Sequence, residues 1–119
     1  MTTDKVRLRT RVEWWVVRCL REGASVSAMA ELRHVILFRL REGADADRAL
    51  SLLRSFQPPG TTRWVIERSI DARKGVVIVE DATFESQAAL DAFRESPDHA
   101  EAVAFMKENA DWLVGDWWQ

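Results

Sequence analysis

An α+β fold, with one antiparallel sheet carrying helices on one face, is what the sequence predicts. Three observations predict it. Residues 32–40 form a short run that is apolar on both faces, as in a buried strand. Two further strand-like runs follow, separated by Asp71-Ala72-Arg73-Lys74-Gly75, a turn with glycine near its end. Helical periodicity occupies the gaps before and after that pair, each helix opening on a side chain able to cap it.

Leu32 to Leu40 is the first strand. Its parity sets Leu32, His34, Ile36, Phe38 and Leu40 on one face and Val35 and Leu37 on the other. Gly43-Ala44-Asp45 ends the approach to a helix. Asp45 is the expected cap, and Asp47 sits in the first turn, where a negative charge suits the helix dipole. Ala49, Leu50, Leu53 and Phe56 supply its apolar face, and Pro58-Pro59-Gly60 closes it. A second strand is expected over Thr61 to Ile70, with Trp64, Ile66 and Ile70 on one face. A third is expected over Val76 to Phe84, paired with the second as a hairpin. Ser86 caps a helix over 87–95, with Ala89, Leu90 and Phe93 inward. Ser96-Pro97 starts another, with serine at the cap and proline at the first helical position. There His99, Ala102, Val103, Met106 and Ala110 share a face. Asp111 to Trp118 supplies the last strand, with Gly115 a candidate bulge. The order β-α-β-β-α(α)-β is the ferredoxin-like pattern. Both faces of the first strand are apolar, so the face away from the helices needs a cover, and a second copy is the economical one.

The chain has 119 residues, 47% of them apolar and 30% charged, with a net charge of −2. That describes one soluble globular domain and gives no basic footprint for nucleic acid. No run approaches the roughly 20 apolar residues of a membrane span. Residues 1–30 carry net charge +3 and residues 31–119 carry −5, which marks a boundary near residue 30. Over 5–22, Leu8, Val12, Trp15, Val16 and Cys19 have helical spacing, and Gly23 to Ala28 read as a linker. Two readings of this extension stand side by side. It is an appended amphipathic helix, or an over-long translated start with Met29 as the initiator. The longest apolar run within it is Trp14 to Val17, too short for a signal core, so secretion is not expected. Cys19 is the sole cysteine, which excludes an intramolecular disulfide and suits a cytoplasmic protein.

The chain has two histidines, and each sits in a distinctive stretch. His34 lies in Arg33-His34-Val35-Ile36-Leu37-Phe38. His99 lies in Ser96-Pro97-Asp98-His99, downstream of Phe84-Glu85-Ser86 and a short helix. Together these resemble the stress-responsive A/B barrel (Dabb) family over residues 31–119. The resemblance implies a ferredoxin-like sheet that pairs with a second copy into a dimeric α/β barrel. In one branch of that family, plant polyketide cyclases, histidines at these two places line the pocket and the second is the base. Carried over, that makes His34 and His99 catalytic candidates. The same branch holds substrate with tyrosines, one of them six residues before the base. Here that position is Phe93, and the chain contains no tyrosine. The wall stays apolar and the hydroxyl is lost.

The residues alone lead to a similar site. A histidine on an apolar strand face needs a partner when buried. His99, third in its helix, lies beside unpaired backbone N–H groups that disfavour imidazolium. A neutral ring in a dry pocket can serve as a general base. Each histidine equally fits a plain hydrogen-bonded core residue. Ile36, Phe38, Phe93 and Val103 are the expected ligand-binding wall. Two histidines with no third ligand make a poor metal site, so no metal is expected, and no nucleotide or cofactor motif is present. Trp112, Trp117 and Trp118 read as packing at the dimer contact. Glu80 and Asp81 are neighbours on a strand and point to opposite faces, so they form no dyad. Three functions remain open. One is a homodimer with a pocket for a small apolar or aromatic ligand. Another is a proton-transfer enzyme, such as a polyketide cyclase or a lyase or isomerase, using both histidines. The third is a non-catalytic stress-related protein acting through its own assembly.

Overall fold

The computed structural model describes residues 30–119. The expected helix over 5–22, its linker, Cys19, Trp14 and Trp15 lie outside the described residues. Seven elements follow in order: β1 (Leu32–Leu40), α1 (Ala46–Arg54), β2 (Thr61–Arg68), β3 (Val77–Phe84), α2 (Gln87–Arg94), α3 (Pro97–Asn109) and β4 (Ala110–Trp118). The strands form one sheet in the order β2-β3-β1-β4, antiparallel at each of its three pairings. This is the ferredoxin-like arrangement expected from the sequence.

Each helix starts on the side chain expected to cap it. Asp45 accepts from Arg48 N, Ser86 from Ala89 N and Ser96 from His99 N. Pro97 costs α3 nothing at its first position, where the N–H has no partner in any case. Replacing Ser96 by alanine should destabilise the fold by about 1 kcal/mol, read as a fall in the denaturant midpoint at unchanged m value. A loss below a few tenths would show that His99 N is satisfied without Ser96.

The core lies between the sheet and the helices in two adjoining clusters. One gathers Phe38, Leu53, Ile66, Ile78 and Met106; the other gathers Leu32, Ala82, Phe84, Leu90 and Phe93. Trp64 joins them, and its Nε1 donates to the Leu53 carbonyl at 3.1 Å. Arg54 reaches from the end of α1 to the Ile66 carbonyl, fixing that helix to β2. Gly60 turns the chain into β2 with φ +84°, and a Cβ there would lie 2.7 Å from that of Ala89. Both the backbone conformation and the close approach require glycine.

Three local expectations need correction. β2 ends at Arg68, so Ile70 falls in the following turn and is fully exposed rather than inward. A one-residue parity continued past the strand end misplaced it. Gly115 makes no bulge; it pairs with Val35 in a register that runs unbroken from Leu32 to Leu40. The irregularity in the sheet is instead between Thr61 and Arg63, at the start of β2. Trp112 is the third correction and belongs to the site.

Candidate functional site

The inner face of β1 presents His34, Ile36 and Phe38 to the helices, as its parity predicts. The partner strands align with them. Opposite His34 lie Ala82 on β3 and Asp116 on β4; opposite Ile36 lie Glu80 and Val114; opposite Phe38 lie Ile78 and Trp112. A cavity of about 240 Å³ opens between this face and helices α2 and α3. His34 and His99 both line it, and so do Ile36, Phe38, Phe93 and Val103. Register divides the cavity along the strands. His34 marks one end, with Asp116 beside it, and Phe38 and Trp112 mark the other, four residues or about 13 Å away along the strand.

His34 is buried, at 4% exposure. Its Nδ1 lies 2.6 Å from Asp116 Oδ1, a short charge-assisted contact. Its Nε2 lies 3.3 Å from Glu80 Oε2. That second contact misses hydrogen-bond alignment, and Glu80 Oε2 is left buried without a hydrogen-bond partner. Glu80 itself is 3% exposed. On the solvent side, Arg94 Nη2 approaches Asp116 Oδ2 at 3.6 Å. The four groups run from the closed interior to the surface as carboxylate, imidazole, carboxylate and guanidinium. Burial disfavours the charged form of His34, but Glu80 and Asp116 more than offset it and raise its pKa above the usual histidine value. His34 is therefore biased towards imidazolium.

His99 moves the other way. Burial lowers its pKa, and the charges of Arg94 and His34 add to that. Glu80 and the Arg94 backbone carbonyl act in the opposite sense without reversing it. Its ring stands edge-on to Phe93 at 5.1 Å between centroids. Phe93 in turn contacts Phe56, Trp64 and Phe84, so His99 leans on an aromatic stack that holds its angle.

Sequence reasoning missed Glu80, Asp116 and Arg94. Glu80 left a signal: it shares parity with Ile78, Ala82 and Phe84, and a carboxylate on a buried face implies a cation nearby. Asp116 and Arg94 left none, because their roles depend on the β1–β4 register and the close of α2. Trp112, expected to pack at a dimer contact, lies on the cavity wall with its ring 5.8 Å from Phe38. Trp118 also faces inward, against the second core cluster. Trp117 alone of the three faces outward, where the Arg33 guanidinium stacks on it at 5.6 Å. Strand alternation decides this, and a cluster read without its strand cannot.

A ferredoxin-like sheet whose inner face and helices enclose a histidine-lined cavity defines a small α+β domain. The chain belongs to the stress responsive A/B barrel domain (Dabb) family, whose family model matches residues 32–119. No curated protein matches it. Among solved structures it is similar to a Dabb family protein with a ferredoxin-like fold from Mesorhizobium loti, with TM-score 0.60 and 21% identity over 75% of this chain and 96% of that one. It is similar to a dimeric ferredoxin-like protein from Thermobifida fusca, with TM-score 0.62 and 21% identity over 75% and 91%. It is also similar to the hydroxynitrile lyase of Passiflora edulis, with TM-score 0.58 and 20% identity over 75% and 93%. At these identities the likeness is one of fold.

Proposed function

We propose that this protein is a homodimer whose cavity takes a small apolar or aromatic ligand and moves a proton on it. His99 is the base and His34 the cationic partner. The observation that carries this reading is the opposite bias of two histidines that line one cavity. Groups whose surroundings push their pKa values apart divide acid and base roles between them. His99, neutral near pH 7, can accept a proton from carbon or oxygen. The imidazolium of His34 stabilises the negative charge that develops when it does. Ile36, Phe38, Phe93 and Val103 hold the apolar body of the ligand and exclude water.

A non-catalytic assembly protein would need no cavity here, nor a buried histidine held by carboxylates rather than backbone. The name of the Passiflora structure accords with a lyase, while the fold likeness leaves the reaction to the residues. Dimerisation is supported by the outer face of the sheet. There Val35, Leu37, Val79, Leu113 and Trp117 form an apolar band, and a similar structure is described as dimeric. No helix among the described residues is long and apolar enough to cross a membrane. The single cysteine accords with a cytoplasmic site.

The test is exchange of the methyl protons of 4-ethylacetophenone in D₂O, followed by NMR. The protein should accelerate exchange over buffer. His99→Ala should lose about 100-fold or more of that acceleration while sedimenting as the wild type. Equal acceleration by both proteins, or none by the wild type, would overturn His99 as the base.

A further inference from the structure

Glu80 is a charged side chain of the cavity to which the proposed proton transfer gives no direct role. It is nearly fully enclosed, and Oε2 has no hydrogen-bond partner. An unmatched buried acceptor is costly, and a charged one more so. The 3.3 Å contact with His34 supplies charge but not an aligned proton, since Asp116 already fixes the ring at 2.6 Å through Nδ1. The carboxylate therefore retains an unused acceptor at the cavity wall. The terminal torsion of glutamate is soft, so its oxygens can turn towards the cavity at little cost.

We propose that Glu80 reads a hydroxyl group on the ligand, and that the ligand is a neutral phenol or enol with an apolar body. Three features of the cavity lead there. The unused group is an acceptor, so the ligand must bring a donor. The charged groups facing it are already matched in sign: Glu80 on β3 and Asp116 on β4 against His34 on β1 and Arg94 on α2, with His99 on α3 biased to neutral. A carboxylate head would be a third negative charge at that end. The opposite end presents the largely apolar rings of Phe38 and Trp112. The volume suits one ring with a short substituent, since a dry cavity of about 150 Å³ holds benzene. This inference rests on the ligand-pocket part of the proposed function and not on proton transfer.

Three probes of one size test it: 4-ethylphenol, 4-ethylanisole and 4-ethylbenzoate, titrated into the full chain at pH 7. Ring resonances of His34 and His99 report occupancy of the cavity. The phenol should bind about tenfold or more tighter than its methyl ether, because a site built for a hydroxyl rejects the analogue lacking it. The benzoate should bind weaker than the phenol. In Glu80→Gln, which keeps the side-chain shape, the preference for phenol over ether should shrink several-fold with the ether unchanged. Equal binding of phenol and ether overturns the hydroxyl reading alone, and this comparison needs no variant to fold. Tightest binding by the benzoate also overturns it and assigns recognition to Arg94. Failure of every probe to move the histidine resonances overturns it together with the pocket.

Discussion

Leu37→Asp is expected to convert the proposed dimer to monomers, seen as a halved mass in sedimentation equilibrium at micromolar concentration. Leu37 is 46% exposed in the protomer and sits at the middle of β1 on the face away from the helices. Its cross-strand partners are Val79 and Leu113, and Leu113 is 76% exposed. A contiguous apolar face of this kind marks an interaction surface. Because Leu37 is already half in water, aspartate costs the isolated protomer little. Buried between two copies it would be an unpaired charge, costing several kcal/mol and weakening association by at least 100-fold. Arg33 and Arg63 do not rescue it, since both are bonded to Asp81 at 2.6–3.2 Å. Those bonds, with that of Arg33 first, hold the Asp81 carboxyl below the usual aspartate value. An undiminished dimer would place the contact elsewhere and leave this face without a cover.

Much of this architecture was legible in the sequence for specific reasons. β1 could be read because its residues are apolar on both faces, which a strand buried on one side only would not show. The three helix starts could be read because Asp45, Ser86 and Ser96 cap by local hydrogen bonds that need no tertiary context. The meeting of His34 and His99 followed from parity and topology together. What stayed hidden depended on register between distant segments. Asp116 reaches His34 only because β4 pairs with β1 in one particular alignment, and a slip of one residue would turn Asp116 outward. Trp112 became a cavity wall by the same rule. Ile70 illustrates the reverse failure, where a pattern was extended beyond the hydrogen bonds that sustain it.

His34→Leu is expected to destabilise the fold by about 3–5 kcal/mol at pH 7, because it leaves Glu80 a buried carboxylate without its cation. The double variant His34→Leu with Glu80→Leu should recover most of that loss, since apolar residues of similar size commonly replace a buried pair at little cost. Asp116 is left behind in both variants but is 31% exposed and has Arg94 beside it, so it contributes little to the penalty. The pH dependence carries a sign that identifies the pair. The folded-state pKa of His34 is raised, so its contribution is fully present below the unfolded value of roughly 6.5 and is lost as pH rises through the folded value. His99, whose pKa is lowered, contributes the opposite slope: stability present above roughly 6.5 is lost as pH falls through its folded value. Thermal midpoints of the wild type should therefore fall on both sides of that region. In the double variant the fall on the alkaline side should disappear while the acid side remains. If the double variant were as unstable as the single one, Glu80 would not depend on the His34 cation, and the division of the two histidines into charged and neutral partners would lose its basis.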